Sequence, residues 1–311
     1  MNVYRTAYSE QVTGIVFDSM NNMYITDYTL RVIRKFTYVG TNWVEQKTRI
    51  NSVDQPFAGT INADTTTPPR NGMDNGPAGT GSFYTPCGMV IDTNNIIYVT
   101  DLNLNLIRRI DTNGNVTTIL GDGQSIILNH PYGVTIDNQN NLYVADADNF
   151  RILKVSTIYP YNTTIIHSST HYNAIACDGT NVYVATRTSI IKLAPPSSGT
   201  TWVQTNIIYA GTYISGMIWR KDRLLVADNN AIYKVSPTIP KTLILGNTVE
   251  GSSDGSITTS TSNFTSPDTM LTGLTFDNNN NLYINDYSVT NINNLIYNPR
   301  IRMITPYVEC A

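Results

Sequence analysis

Three histidines, three cysteines and a recurring set of aspartates are the side chains here with the clearest capacity for chemistry. His130 precedes Pro131 in one loop, and His167 and His171 flank the next loop of the same kind, so all three are expected on one face. Imidazoles grouped in that way are weighed as a metal site, but no carboxylate stands at a fixed offset to complete it. The simpler reading is three exposed polar residues, with no cofactor. Cys87, Cys177 and Cys310 are widely spaced and contain no CxxC pair, which indicates neither a disulfide framework nor a zinc cluster. Cys310 is the cysteine best placed to pair between chains, a route to self-association. A nucleophilic Cys87 needs a base beside it, and the sequence supplies none at a readable spacing.

Asp27, Asp101, Asp146, Asp228 and Asp286 each follow a short apolar run, and a catalytic carboxylate pair is the first thing they suggest. Acid and base roles require two different environments, however, and these residues occupy one slot in successive copies of one segment. The same holds for Arg31, Arg34, Arg108, Arg109, Arg151, Lys154, Lys192, Lys234, Arg300 and Arg302. The acidic stretches from Asp92, Asp137 and Asp277 offer oxygen ligands to a hard cation, but lack the glycine and distal glutamate of an EF-hand. Asp and Asn bond their own backbone and accept left-handed conformations, so these stretches read as hairpin turns.

The elements that must position these residues come from an internal repeat. Segments beginning at Gly14, Gly88, Gly133, Ala174, Gly216 and Gly273 share a small residue, an apolar strand, an Asp and Asn turn, a second strand and a basic-apolar third strand. Their starts are 74, 45, 41, 42 and 57 residues apart. A period a little over 40 residues suits one four-stranded propeller blade. A fourth strand is read in Val116–Leu120, Asn162–His167, Trp202–Tyr209 and Thr242–Leu245, while the third strand of the last copy is delayed to Arg300–Ile304. The expected fold is therefore all-β: a six-bladed β-propeller of four-stranded antiparallel blades, one domain over residues 1–311. Residues 2–8 read as an orphan outer strand that completes blade six and closes the ring.

Composition agrees with many strands and turns. Hydrophobic residues make up 41% and charged residues only 14%, against a usual charged share of about 25%. The net charge of −3 provides no general attraction for nucleic acid, which is an unlikely partner, or for anionic membrane. No apolar run reaches the length of a membrane span, and Met1 and Asn2 open no basic-apolar leader, so the chain is read as soluble without membrane insertion. The compartment is left unknown; an Asn- and Thr-rich, weakly charged surface suggests an extracellular or particle-surface setting.

The stretches NGPAGTGSFYTPCG (75–88), GDGQSIILNHPYG (121–133) and the segment from Gly246 to Pro267 with its Asp254-Gly255 pair resemble the loops of the NHL-repeat family. The spacing of Asp146, Asn149 and Arg151 fits that repeat too, while Arg187 and Arg220 stand where the family places Asp. The resemblance implies a six-bladed propeller and names no single function. In such a ring, the residues before each first strand should rim the channel: Thr13, Cys87, Tyr132, Asn173, Ser215 and Thr272. Six-bladed propeller enzymes such as gluconolactonases and amidating lyases gather carboxylates or histidines there around a metal, and this rim has neither. The long segments Gly59–Pro86, Gly246–Met270 and Tyr287–Pro299 all belong to loops of one face, with Arg70, Phe83, Tyr84, Phe264, Tyr287 and Tyr297 as candidate contacts. The expected function is a non-catalytic interaction or structural scaffold binding protein or glycan through that face. A metal-dependent hydrolase or lyase at the channel is the alternative. Asn115, Asn162 and Asn263 head NxT sequons, which arise by chance in a chain this rich in Asn and Thr.

Overall fold

The computed structural model describes residues 2–5, 12–50, 53–60, 73–121, 126–207, 209–229, 231–235, 241–246, 273–289 and 297–304. After β1 (Asn2–Arg5), blade one comprises β2 (Val12–Phe17), β3 (Met23–Asp27), β4 (Val32–Val39) and β5 (Asn42–Gln46), followed by a small hairpin of β6 (Thr48–Ile50) and β7 (Val53–Gln55). Blade two is β8 (Pro86–Ile91), β9 (Ile97–Asp101), β10 (Leu106–Ile110) and β11 (Val116–Leu120). Blade three is β12 (Pro131–Ile136), β13 (Asn141–Asp146), β14 (Arg151–Ser156) and β15 (Thr163–Ser168). Blade four is β16 (Ala174–Cys177), β17 (Val182–Ala185), β18 (Ile190–Ala194) and β19 (Val203–Ile207). Blade five is β20 (Ile214–Arg220), β21 (Arg223–Asp228), β22 (Ala231–Val235) and β23 (Thr242–Gly246). In blade six, β24 (Leu274–Phe276), β25 (Leu282–Val289) and β26 (Tyr297–Ile304) form a sheet of order β1-β26-β25-β24. The first strands pack side by side from β2 through β8, β12, β16 and β20 to β24, which returns against β2, so the six blades stand in a ring.

The repeated Asp turns explain why each hairpin forms. The Asp137 carboxylate accepts the Gln139 and Asn141 amides at 2.9 and 2.8 Å, and its second oxygen accepts the Tyr143 hydroxyl at 3.0 Å. Asn140 supplies the left-handed residue at φ 60°. Asp18, Asp92 and Asp277 repeat the pattern with Asn21, Asn95 and Asn280 left-handed, and Tyr24, Tyr98 and Tyr283 donating. The carboxylates are thus engaged by their own turns.

The core lies between blades. Six clusters of buried apolar residues each join neighbouring blades, as Val16, Tyr24 and Ile33 of blade one meet Met89, Val99 and Ile110 of blade two. Each fully buried aliphatic side chain contributes about 1.5–3 kcal/mol. The small residue opening each repeat permits this packing: a Cβ on Gly88 would lie 2.6 Å from the Tyr132 carbonyl oxygen.

Two expectations need correction. The segment 287–299 is not all loop, because Tyr287, Ser288 and Val289 of β25 pair with Pro299, Asn298 and Tyr297 of β26. The last third strand therefore begins at Tyr297, before Arg300, since the insertion lengthens the hairpin it interrupts. In blade four, Ala185 pairs with Ile190 as Ala145 pairs with Ile152 in blade three, so Thr186 occupies the slot of Asp146, one residue before the Arg187 expected there. Arg220 does replace a turn Asp, and its guanidinium donates to Asn280 Oδ1 of blade six at 2.8 and 3.0 Å.

Candidate functional site

Around the channel, five rim positions are described. Thr13, Cys87 and Ser215 are 2–4% exposed, while Tyr132 and Asn173 are half-buried. Thr272 lies outside the described residues, as do Arg70, Phe264 and Cys310. The Thr13 hydroxyl sits 2.8 Å from that of Thr26 and donates to the carbonyls of Pro86 and Cys87, both at 3.2 Å, tying blade one to blade two. Thr100 does the same one blade on, donating to the Tyr132 carbonyl at 2.9 Å, and Asn285 Nδ2 donates to the Val12 carbonyl. Thr26, which also reaches the Cys87 carbonyl at 3.5 Å, Thr100 and Asn285 each stand before the recurring Asp, a position filled by Ala145, Ala185 and Ala227 in blades three to five. Sequence reading missed them because a Thr inside a strand carries no signal of pointing at the next blade.

The waist of the channel is a cavity of about 80 Å³ walled by Gly14, Gly88, Gly133, Ala174, Gly216 and Gly273, with Ile15, Met89 and Val134 among the apolar residues beneath them. It widens toward the opposite face into about 240 Å³ lined by Phe17, Ile91, Cys177, Trp219 and Phe276 among others. Among the described residues the walls contribute no charged side chain. Burial pushes the Cys87 thiol up to about 12, outweighing its contacts with Thr13 and Gly88, so it is a neutral thiol at physiological pH. Burial, with Cys87, Tyr213 and Asp148 nearby, also pushes the Tyr132 phenol up to about 12.

The aspartates ending the second strands cap loops. Asp101 accepts the Tyr84 and Thr85 amides, both at 2.8 Å, and Asp228 accepts those of Thr212 and Tyr213 at 2.9 and 2.7 Å. Asp146 accepts the Asn129 amide and the Arg151 guanidinium, each at 2.7 Å. Burial raises the Asp101 carboxyl against the lowering effect of its two amide donors.

Two of the three histidines meet. His130 Nδ1 lies 2.6 Å from one oxygen of Asp148, and His171 Nε2 lies 3.4 Å from the other. His171 Nδ1 is 3.0 Å from Asn173 Oδ1, and its ring stands edge-on to Tyr132 with centroids 6.2 Å apart. The carboxylate that sequence spacing did not supply comes from Asp148, in the turn η1 (Ala147–Asn149) between β13 and β14. His167 stands elsewhere, on β15 with its ring 5.7 Å from that of Tyr172, and burial lowers its pKa. Among the described residues no group of three or more His, Cys, Asp or Glu is arranged to hold a metal ion.

The candidate contacts of the loop face divide in the same way. Phe83 is fully buried, with the Arg108 guanidinium 5.4 Å from its ring, so it packs the core. Tyr84 is 37% exposed beneath the Arg31 guanidinium, 4.3 Å away. Tyr287 and Tyr297 are placed in β25 and β26 by their backbone.

Residues 65–182 match the family model described as the teneurin NHL domain. No curated protein matches the chain in sequence. Among solved structures, a gluconolactonase from Xanthomonas campestris is similar with a TM-score of 0.60 at 10% identity, covering 95% of this chain and 86% of that one. A catalytically inactive virginiamycin B lyase from Staphylococcus aureus with quinupristin gives 0.56 at 12%, covering 97% and 99%. A nidogen/laminin complex gives 0.54 at 17%, covering 73% and 76%. At these identities the likeness concerns the fold alone. No helix among the described residues is long and apolar enough to cross a membrane. With six four-stranded blades and the recurring Asp and Asn turns, the chain is a six-bladed β-propeller whose residues 65–182 match an NHL-repeat family.

Proposed function

We propose that this propeller is a non-catalytic binding module, a protein-interaction or structural scaffold that engages its partner through the face carrying the long loops. The observation that carries this reading is the contrast between the channel and that face. The described rim presents Thr13, Cys87 and Ser215 almost without exposed surface, and Cys87 as a neutral thiol, so reacting groups do not converge there. The side chains that depart from the repeat, Asp148, His130 and His171, are about 40% exposed on the loop face. The likeness to a nidogen/laminin complex supports a protein partner. A glycan partner and an extracellular or particle-surface setting are compatible with the weakly charged surface.

A second reading, a metal-dependent hydrolase or lyase, draws on the likeness to a gluconolactonase and to virginiamycin B lyase, and on the His130–Asp148 pair as an oriented base. One experiment separates the two. Isothermal titration with Ca²⁺, Mn²⁺ and Zn²⁺, run beside affinity capture from the native source, should give no tight saturable metal binding and a partner lost on substituting Asp148 or Tyr84. Stoichiometric metal binding with lactone hydrolysis would reverse the assignment.

A further inference from the structure

Equivalent positions in blades two and three carry different residues. The slot before the first strand is Thr85 in blade two and His130 in blade three; the second residue after the recurring Asp is Asn103 or Asp148; the fourth is Asn105 or Phe150. The equivalence is geometric, for the Leu102 amide donates to the Thr85 carbonyl just as the Ala147 amide donates to the His130 carbonyl. In blade two the corner is closed by a neutral bond, Asn103 Nδ2 to Thr85 Oγ1 at 2.9 Å. In blade three it ends on an imidazole, a half-exposed carboxylate and a phenyl ring.

Phe150 is 52% exposed at φ 54°, a left-handed conformation that bulky residues rarely adopt and that Asn105 occupies in blade two. Its amide donates to the Ala147 carbonyl and its carbonyl accepts the Ser169 amide, both at 3.0 Å, which holds the turn. The flanking Asn149 and Arg151 side chains donate to the Ile127 carbonyl at 3.0 and 2.7 Å, so Ile127, 79% exposed, is fixed beside the turn. Two apolar side chains are thus displayed in a fixed arrangement, which lowers the ordering cost of binding.

The charge beside them sets the partner's chemistry. Asp146 is buried and neutralised by Arg151, whereas Asp148 is 40% exposed and, among the described residues, its ion-pair partners are the His130 and His171 imidazoles. A carboxylate retains acceptor positions after one bond to each oxygen. On the corner of blade one the residue in the Phe150 slot is Arg31, stacked on Tyr84, so there the cation and the aromatic ring are both internal. In blade three Arg151 is taken up by Asp146 and the Ile127 carbonyl, and among the described residues no cation stacks on the Phe150 ring.

We propose that the corner formed by Ile127, Asp148 and Phe150 is the docking hot spot, and that it takes a protein segment presenting an arginine or lysine beside an apolar side chain. The inference rests on the loop-face reading and names its partner chemistry. The test uses a random twelve-residue peptide library displayed on phage, panned on the full chain. The expected consensus has Arg or Lys adjacent to an aliphatic or aromatic residue. The synthetic consensus peptide should bind at least about tenfold more weakly to Asp148→Asn and to Phe150→Asn, two changes that fit their backbone positions. A peptide with Gln for its basic residue should lose as much. An acidic consensus, no consensus, or binding indifferent to both substitutions would overturn the proposal. Binding indifferent to both but lost in Tyr84→Ala or Arg31→Ala leaves the loop-face reading standing and removes only the blade-three assignment. Peptides that map to the opposite mouth of the channel remove both.

Discussion

Blades two and three bury the same carboxylate and then diverge. Asp101 and Asp146 each hold the loop before their blade through backbone amides, and both are wholly buried. One residue further out, blade two closes on Thr85 and Asn103, while blade three opens on His130, Asp148 and Phe150. Even the rim slot differs, with Cys87 in one and Tyr132 in the other. Shared positions are those a blade needs in order to pack. Function in a repeat protein is sought where neighbouring copies disagree.

The rim gives the largest expected effect. With its thiol pushed from 9.0 to about 12 by burial, folded Cys87 holds roughly a thousandfold less thiolate at pH 8 than a free cysteine. Iodoacetamide should leave its peptide unmodified in native protein and modify it fully in denaturant, as read by mass spectrometry. Rapid native alkylation would make Cys87, unlike Tyr132, a chemical group and return the channel to consideration as an active site.

The shared carboxylates come next. Asp101→Ala and Asp146→Ala each remove acceptors from buried donors, and each should cost about 3 kcal/mol in denaturant unfolding. Comparable losses would confirm a common structural duty. A much smaller loss for Asp146→Ala would mean that blade three is built differently at its base as well as at its surface.

Phe150 tests the divergence itself. Asn tolerates the left-handed region far better than Phe does, so Phe150→Asn should stabilise the fold by about 1 kcal/mol, seen as a raised melting temperature. A destabilised variant would show that the ring, despite its 52% exposure, packs on its own blade.

How much of this was readable beforehand follows from the range of each interaction. The six repeats and the Asp turns were legible because their signals lie within a few residues: Asp137 reaches only to Asn141 and Tyr143. The Thr26, Thr100 and Asn285 clamps were not, since each acts across a blade boundary whose geometry depends on the closed packing of both sheets. Asp148 was invisible as a partner of His130 and His171 for the same reason: it stands 18 and 23 residues from them, and two turns and two strand registers decide the meeting. Thr186 was passed over for Arg187 because a one-residue shift is undetectable until pairing fixes which residue precedes the turn.

The smallest stability effect is the most discriminating. The double variant His130→Thr, Asp148→Asn rebuilds in blade three the pair that blade two carries, Thr85 with Asn103. Both new residues fit a corner already formed elsewhere in the ring, and the lost contacts are half-exposed, where ion pairs contribute about 0–1 kcal/mol. Unfolding free energy should therefore change by less than about 1 kcal/mol. Partner binding should fall sharply in the same protein, because the carboxylate that distinguishes the corner is gone. A large loss of stability would instead make the His130, Asp148 and His171 contacts a brace between the loops of blades three and four, and the divergence of the two blades a matter of folding.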